Sequence, residues 1–316
     1  MRLLFAGTPE AALPSLRALL DSPHEVVGVL TRADAPRGRG RRLHPSPVKE
    51  LALEAGVPVL TPRTLRDAAV QEEIRALAPD AAPVVAYGNL VPAAALSIPA
   101  HGWVNLHFSL LPAWRGAAPA QRAVLTGQRE TGMSVFRLEE GLDTGDVIAS
   151  APTAIGPHET AGELLERMSH DGAGLLLQAL DALEAGTASF TVQDHDAATH
   201  AAKLTTAEAR IDWTRPAEEV DAHVRGMSPD PGAWTLLRGE RFKALGTEEP
   251  APDPSVTAAP GELVATRRQL LVGTGTAPIA LSVVAPAGKR AMRAADWARG
   301  AGLEPGTSFE NEEDRA

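Results

Sequence analysis

The sequence predicts an α/β protein in which a doubly wound, mostly parallel sheet precedes a small β-barrel. From residue 1 to residue 187, short apolar runs alternate with helical patterns, as they do when helices connect parallel strands. Beyond residue 210, brief apolar runs follow one another closely, which indicates a small barrel. The chain of 316 residues is 44% hydrophobic and 22% charged, so it can bury the cores that two such domains require.

The first domain is predicted to contain five strands with helices between them. The strands are expected at residues 2–6, 26–30, 83–87, 103–108 and 147–151, and helices at residues 46–55, 65–77 and 117–126. After the first strand, Thr8 is predicted to cap a helix that has Pro9 in its first turn and runs towards Leu20. A long helix at residues 161–185, with Leu and Met at helical spacing, stops at Gly186 and closes the domain.

The rest of the chain divides into a polar segment and a second domain. Residues 188–209 show only a weak pattern and are interpreted as a surface linker, so the first domain spans residues 1–187 and the second spans residues 210–316. The second domain is expected to have a helix at residues 216–225 and strands at 233–237, 242–245, 261–265, 270–272 and 279–284. The acidic end, residues 310–316, is expected to fray.

The composition excludes several kinds of site and partner. Because the chain has no cysteine, it has no disulfide, no thiolate metal ligand and no cysteine nucleophile. No apolar run reaches the roughly 18 residues of a membrane span, and Gly7 and Pro9 interrupt the apolar start, so we expect a cytoplasmic protein with no membrane partner. The net charge of −10, from 30 basic and 40 acidic residues, on average disfavours binding to nucleic acid.

Familiar cofactor and catalytic motifs are absent from the sequence. The turn Gly7-Thr8-Pro9-Glu10 lacks the second and third glycines of a dinucleotide-binding fingerprint, and Gly288-Lys289 lacks the upstream glycine of a P-loop. Neither G-x-S-x-G nor H-E-x-x-H occurs. A group of metal-ligand residue types lies in the polar segment, where solvated side chains are the better interpretation: Asp194, His195, Asp196 and His200. We therefore expect no metal site.

Two segments carry side chains that suit chemistry at a carbonyl carbon. Along the strand predicted at residues 103–108 and its extension, Asn105, His107 and Ser109 alternate with apolar residues and therefore share one face. At the carboxyl end of a strand in an open α/β sheet, such a face borders the crevice where ligands bind. Asp143 lies in a glycine-bracketed turn at residues 141–146, just before the next predicted strand.

Asn105, His107 and Asp143 together supply an amide donor, an imidazole and a carboxylate. The amide and the imidazole can stabilise a developing oxyanion, while the carboxylate orients or charges the imidazole and handles a proton. Each motif also has a purely structural explanation, because a buried histidine can be satisfied within a core and turns favour Asp and Gly for backbone reasons. If the fold brings the three residues together, the trio predicts nucleophilic attack on a carbonyl carbon.

An ordered set of motifs runs through most of the chain. The motifs are Phe5-Ala6-Gly7-Thr8-Pro9, Gly38-Arg39-Gly40-Arg41-Arg42, Val85-Ala86-Tyr87-Gly88, Asn105-Leu106-His107 with Ser109-Leu110-Leu111-Pro112, Trp114-Arg115-Gly116-Ala117-Ala118-Pro119, and Gly141-Leu142-Asp143-Thr144-Gly145-Asp146. Later motifs agree, among them Lys203-Leu204 and Asp296-Trp297. This set resembles that of the methionyl-tRNA formyltransferase family.

The resemblance implies a role for each matching residue. Asn105, His107 and Asp143 match the family's catalytic trio, and its tetrahydrofolate-binding stretch is matched by Ser109, Leu110, Leu111 and Pro112. The family transfers a formyl group from 10-formyltetrahydrofolate to the α-amino group of methionyl initiator tRNA, for translation initiation. Its fold is a formyltransferase-like, Rossmann-type sheet followed by an OB-like C-terminal domain that binds tRNA. Phe108 departs from the family pattern, which usually has a small residue there, and we expect it to alter packing rather than chemistry.

The acidic average hides a basic loop. Residues 32–50 hold six basic side chains against two acidic ones, and an arginine-rich composition can also produce such a cluster by chance. In the family the corresponding insertion contacts the tRNA acceptor end, so the resemblance makes Arg39, Arg41 and Arg42 the candidate tRNA-binding residues. Binding that depends on phosphate contacts is expected to weaken steeply with salt.

Two other functions remain open at the level of the sequence. A formyltransferase that acts on an amino sugar or on a purine-pathway ribonucleotide would use the same trio and folate stretch, although the basic loop and the second domain favour tRNA. A non-catalytic RNA-binding protein could keep the fold, although the complete trio disfavours it.

Overall fold

The computed structural model describes residues 1–37, 42–251 and 257–310, without the side chains of Arg37 and Arg42. It divides into two compact units. We call them the N-terminal unit (Met1–Pro119, Gly132–Thr153 and Leu165–His200) and the C-terminal unit (Ala120–Thr131, Ala154–Leu164 and Ala201–Ala316). The domain boundaries predicted above remain a prediction.

Strands and helices alternate through the first two-thirds of the chain. The strands are β1 (Arg2–Gly7), β2 (Glu25–Leu30), β3 (Ala35–Arg37), β4 (Arg42–His44), β5 (Val59–Leu60), β6 (Ala82–Val85), β7 (Trp103–His107), β8 (Arg115–Gly116), β9 (Glu130–Arg137), β10 (Val147–Ala154) and β11 (His200–Ala201). The helices are α1 (Leu13–Leu20), α2 (Pro47–Glu54), α3 (Ala68–Ala76), α4 (Ala93–Leu96), α5 (Pro119–Leu125) and α6 (Ala161–Glu184), with short 3-10 turns at Glu10–Ala12 and His195–Ala197. No helix in the described ranges is both long enough and apolar enough to cross a membrane.

A seven-stranded sheet forms the centre of this part of the described chain, in the order β10-β9-β7-β6-β1-β2-β5. Neighbours from β5 to β7 are parallel, whereas β9 is antiparallel to β7. The predicted doubly wound, mostly parallel sheet is therefore confirmed. Its core is apolar and contains Leu4, Ala6, Leu30, Ile74, Val84 and Trp103.

β9 was not predicted from the sequence. Residues 131–136 are all buried, so the strand lacks the alternation of polar and apolar residues that marks a half-exposed strand. This strand matters for the site, because it pairs with β7 and places Phe136 opposite Asn105 and Ser134 opposite His107.

The predicted cap at the start of the first helix is wrong. The Thr8 hydroxyl donates a hydrogen bond to the Tyr87 carbonyl, 2.8 Å away and two residues beyond the end of the neighbouring strand β6, instead of capping a helix. After Pro9 the chain passes through a 3-10 turn before α1 begins at Leu13. In contrast, Ser46 caps α2 by accepting a hydrogen bond from the Lys49 amide at 3.1 Å.

The C-terminal unit is a curled antiparallel half-barrel. Its elements are α7 (Ala217–Gly226), β12 (Ala233–Leu237), β13 (Glu240–Glu248), β14 (Leu263–Ala265), β15 (Leu270–Val272), β16 (Ile279–Ala285), β17 (Met292–Arg293) and α8 (Ala294–Gly300). The sheet order is β12-β13-β16-β15-β14, with β17 paired to β16. The predicted helix and strands of this domain agree with α7 and β12 to β16, which confirms the small barrel-like domain.

The last described residues connect the two edges of the half-barrel. Ser308 bridges to Glu262 just before β14, and Glu310 bridges to Leu236 in β12. Between them, the buried Phe309 stacks on Trp213 with ring centroids 5.2 Å apart and tilts against Phe242 at 5.0 Å. Residues 308–310 therefore supply an aromatic core residue as well as backbone pairing, and apart from Glu310 the segment predicted to fray lies outside the described residues.

Candidate active site

Asn105 and His107 lie on β7, two residues apart, so their side chains point to the same face of the sheet. His107 is the last residue of the strand, and Asn105 is half-buried. β7 is parallel to β6 and antiparallel to β9, and it is therefore fixed on both sides. The structure places these two predicted residues at the carboxyl end of a central strand, as expected from the alternation.

His107 is almost fully buried, with 5% of its surface exposed. Its Nε2 lies 2.9 Å from the Trp114 carbonyl oxygen, and its ring meets the Phe136 ring edge-on with centroids 6.2 Å apart. Its Nδ1 lies 3.9 Å from Oδ2 of Asp143, which is an electrostatic contact rather than a hydrogen bond. The structure thus brings together His107 and Asp143, which are distant in sequence.

Burial lowers the pKa of His107 below its ordinary value. The Asp143 carboxylate and the Trp114 carbonyl act in the opposite direction and offset only part of this effect. The neutral imidazole is therefore favoured near neutral pH. Because a carbonyl can only accept, the ring hydrogen of that form lies on Nε2, which leaves Nδ1 unprotonated on the side of Asp143.

The turn that carries Asp143 has a constrained backbone. Asp143 has a φ of +52°, in the left-handed region that Asp tolerates better than most residues. A Cβ on Gly145 would lie 1.8 Å from the Arg137 carbonyl oxygen, so only glycine fits there. Asp143 Oδ2 accepts a hydrogen bond from the Gly116 amide at 2.7 Å, which anchors the carboxylate.

Residues 114–116 contact both members of the pair through backbone groups, so the motif at Trp114-Arg115-Gly116 marks the segment in the sequence without revealing this role. Trp114 supplies its carbonyl to His107 and Gly116 supplies its amide to Asp143. The segment is held in turn by Thr199, whose hydroxyl accepts from the Trp114 amide at 2.8 Å and whose carbonyl accepts from the Arg115 amide at 2.8 Å.

The predicted folate-binding residues form a loop directly after β7. The strand ends before Ser109, which is buried, and its hydroxyl donates to the Ala113 carbonyl at 2.6 Å. The Ser134 hydroxyl holds the loop, because it donates to the Ser109 carbonyl at 2.8 Å and accepts from the Leu111 amide at 3.0 Å. Three half-buried side chains give the loop a partly exposed apolar surface: Leu110, Leu111 and Pro112.

The basic loop contains a β-hairpin, in which β3 and β4 pair antiparallel from Ala35 opposite His44 to Arg37 opposite Arg42. Arg42 is the first residue of β4, and only its backbone is described. Arg39 and Arg41 lie outside the described residues. Within the described part of the segment, Lys49 pairs with Asp34 at 2.7 Å, so arginines dominate the positive charge that the segment can offer.

Residues with metal-ligand geometry occur elsewhere. Among the described residues, His24, Asp181 and Glu184 are the group whose ligand atoms could converge on an ion. The N-terminal ammonium already contacts this group, because it lies 2.6 Å from Glu184 Oε1 and 3.1 Å from His24 Nδ1. The arrangement is that of an ion-pair cluster, and the sequence-level group around His195 does not recur as a metal cluster in the described ranges.

Comparison with known proteins gives matches over both units. Residues 1–180 match the family model described as "Formyl transferase", and residues 203–302 match "Formyl transferase, C-terminal domain". The methionyl-tRNA formyltransferase of Salinispora arenicola is 56% identical over 300 residues, which cover 95% of this chain and 97% of that protein.

Two solved structures show the same fold at low sequence identity. The methionyl-tRNA formyltransferase from Clostridium thermocellum is 16% identical with a TM-score of 0.57, over 79% of this chain and 94% of that one. HypX from Aquifex aeolicus, solved in complex with tetrahydrofolic acid, is 18% identical with a TM-score of 0.66, over 96% of this chain and 47% of that one.

Proposed function

The chain belongs to the methionyl-tRNA formyltransferase family, and we propose that it transfers the formyl group of 10-formyltetrahydrofolate to the α-amino group of methionyl initiator tRNA, for translation initiation in the cytoplasm. One observation carries the proposal. In a chain that matches a relative of this name over 95% of its length, His107 and Asp143 come within 3.9 Å of each other where β7 ends, with Asn105 on the same strand face.

The reaction requires a neutral amine that attacks the formyl carbon. An α-amino group has a pKa of about 8, and esterification of the neighbouring carboxyl lowers it, so little activation is needed. As the C–N bond forms, the formyl oxygen becomes an oxyanion, and the attacking nitrogen must lose a proton. The bond from the formyl carbon to N10 of the folate then breaks, and N10 takes up a proton as tetrahydrofolate leaves.

We assign oxyanion stabilisation to Asn105 and His107. The Asn105 amide is a neutral donor at the half-buried position of β7. An oxyanion that develops beside the imidazole favours protonation at Nδ1, because Nε2 already donates to the Trp114 carbonyl. Asp143 supports that cation across 3.9 Å and assists removal of the amine proton, directly or through water.

The loop at residues 109–112 is our candidate for the folate site. Formyl-tetrahydrofolate is the formyl donor of the family, and a pterin ring needs both apolar contacts and backbone hydrogen bonds. The half-buried Leu110, Leu111 and Pro112 offer the apolar surface, and Ser134 fixes the backbone around them. These residues fit a folate co-substrate, and the proposed chemistry uses no metal.

Binding of the tRNA is assigned to the hairpin β3–β4 and to the C-terminal unit. In the sequence, Arg39 and Arg41 fall between β3 and β4 and Arg42 begins β4, and guanidinium groups suit contacts with phosphates. This part of the proposal rests on the local positive charge of a chain whose net charge is −10.

An acceptor competition assay tests the proposal. The purified chain is incubated with formyl-labelled 10-formyltetrahydrofolate and, in separate reactions, with methionyl initiator tRNA, an amino sugar nucleotide or glycinamide ribonucleotide. We expect label on the tRNA alone. Label on a small amine instead, or tRNA binding without formyl transfer, would overturn the proposal.

A further inference from the structure

Gln193 is a buried polar residue, 5% exposed, in a segment whose neighbours are largely exposed. Its Nε2 donates to the carbonyl oxygens of Asp143 at 2.9 Å and Gly145 at 2.7 Å. Its Oε1 accepts from Nε of Arg115 at 3.1 Å and from Nη2 at 2.7 Å. The amide therefore uses both hydrogens and both lone pairs, which a glutamine can do in only one orientation.

Arg115, behind Gln193, is also buried, with 4% of its surface exposed. Its Nη1 lies 3.2 Å from Nδ1 of His195, so each end of the guanidinium has a partner. Its backbone connects Trp114, which contacts His107, to Gly116, which contacts the Asp143 carboxylate. The guanidinium is thus fixed to the same segment that fixes the His107 ring.

Two routes therefore connect residues 114–116 to the turn of Asp143. The direct route runs from the Gly116 amide to the carboxylate, and the second runs from the Arg115 side chain through Gln193 to the carbonyls of Asp143 and Gly145. Those two carbonyls flank Thr144, so the hydrogen bonds of Gln193 fix the orientation of the turn. Asp143 is in the left-handed region, with a φ of +52°, and needs such support to stay there.

We infer that Gln193, backed by Arg115, is a positioning residue that orients the Asp143 turn so that its carboxylate faces His107. The inference rests on the proposed function, in which His107 and Asp143 act on formyl transfer. Gln193 touches no reacting atom and acts only through Asp143. The sequence does not reveal this role, because Gln193 is a polar residue within a polar segment.

Two substitutions test this role from different sides. Gln193→Glu keeps the volume and the pairing with Arg115 but replaces the NH2 group, which donates to the two carbonyls, by an oxygen that cannot donate. Gln193→Met keeps the length of the side chain, adds no charge and removes all four hydrogen bonds. In both variants we expect kcat to fall about ten- to a hundredfold, because a small misplacement of a catalytic group has that effect, while KM for either substrate changes less than about twofold.

The titration of His107 is a second readout, and it does not depend on activity. Asp143 is the charged group that raises the pKa of His107 against the effect of burial, so its displacement should lower that pKa further. We expect the Gln193→Met protein, labelled at histidine and assigned by comparison with a His107→Gln protein, to titrate at lower pH than the wild type in NMR spectra.

Gln71 provides a matched control. It is 7% exposed, lies in α3 of the same unit, and its Nε2 donates to the Leu65 carbonyl at 2.9 Å. Gln71→Met should lower the melting temperature and leave kcat and the His107 titration unchanged.

The outcomes separate the positioning role from the proposed function. If the wild type does not formylate methionyl initiator tRNA, the proposed function is wrong. The His107 titration does not depend on activity and still tests whether Gln193 positions the Asp143 turn. If the wild type is active and Gln193→Met has the same kcat and the same His107 titration as the wild type, the inference is overturned and Gln193 only stabilises the fold. A rise in KM with kcat unchanged would overturn it as well.

Discussion

The imidazole of His107 and the carboxylate of Asp143 lie 3.9 Å apart, and each is held by the same three-residue segment, Trp114 to Gly116. Since the segment contributes a carbonyl to one residue and an amide to the other, it sets the distance between them. Both contacts are made by backbone groups of the segment rather than by its side chains. This arrangement makes the electrostatic relation between His107 and Asp143 the most direct target for experiments.

Removal of the Asp143 charge should impair catalysis with little loss of stability. Asp143→Asn keeps an oxygen that can accept from the Gly116 amide, but it removes the carboxylate that assists the proton and supports the His107 cation. We expect kcat to fall by about a hundredfold or more, which is the usual contribution of acid–base catalysis. Glu140→Gln, an exposed change beside the same turn, is the control and should retain wild-type kcat. Near-normal turnover in Asp143→Asn would contradict the assigned role.

Gly145 tests whether the turn itself is required. In Gly145→Ala the new methyl group would lie 1.8 Å from the Arg137 carbonyl oxygen, so the turn must move and carry Asp143 with it. We expect a loss of about 1–3 kcal/mol in the free energy of unfolding, together with a lower kcat in the protein that remains folded. Urea denaturation and turnover measure the two effects.

Gly174 is the matched control for that substitution. It lies inside α6, and a Cβ there would meet no atom within 4 Å. Gly174→Ala should stabilise the protein by about 0.5–1 kcal/mol, the helix preference of Ala over Gly, and should leave kcat unchanged. If both variants lost the same free energy of unfolding and the same kcat, the close approach at Gly145 would have no special consequence.

Much of the fold and of the candidate site was predictable, because side-chain patterns in the sequence indicate them. Apolar runs indicated β1, β2, β6, β7 and β10, and the alternation around His107 placed Asn105 on the same face. Three features could not be predicted, since each depends on tertiary contacts. β9 is buried on both faces and shows no alternation, Thr8 donates to the carbonyl of Tyr87, which is remote in sequence, and Gln193 contacts backbone groups that are also remote in sequence. The catalytic assignments themselves remain proposals until turnover is measured.

Stability should decrease on the acidic side of neutrality because of buried histidines. In the C-terminal unit, burial lowers the pKa of His223, and the Ala209 backbone and the Glu208 carboxylate offset this only in part. The unfolded state then binds a proton at higher pH than the folded state does. The contribution of His223 to the free energy of unfolding is therefore complete above the unfolded pKa of about 6.5. It is lost as the pH falls towards the lowered pKa of the folded state.

His223→Gln removes this titration. We expect its free energy of unfolding to depend less on pH than that of the wild type in urea titrations from pH 7.5 down to pH 5, a range chosen to bracket the unfolded pKa of about 6.5. Parallel curves for the two proteins in that range would contradict the predicted role of His223.

Phe309 should be essential to the half-barrel. It is buried, stacks on Trp213 at 5.2 Å, and lies between the two backbone bridges that join Ser308 and Glu310 to the sheet edges. Phe309→Ala is expected to cost about 3–5 kcal/mol in the free energy of unfolding, as for other buried phenylalanines. Phe190, 40% exposed, is the control, and its replacement by Ala should cost less than about 1 kcal/mol.

The salt dependence of tRNA binding tests the three arginines proposed to bind tRNA. If Arg39, Arg41 and Arg42 contact phosphates, the logarithm of the binding constant falls linearly with the logarithm of the salt concentration, by about 0.7–0.9 per contact. Replacement of all three by Gln should therefore weaken binding at low salt and reduce the slope by about 2–3.

The control for that triple variant removes the same charge elsewhere. Arg17, Arg63 and Arg66 are exposed residues of the N-terminal unit, and their replacement by Gln lowers the net charge equally. If both triple variants reduce the slope to the same extent, the effect comes from net charge alone and Arg39, Arg41 and Arg42 have no specific role. A slope that changes only in the variant of these three arginines assigns the phosphate contacts to them, because counterion release reports the contacts themselves rather than the average charge of an acidic chain.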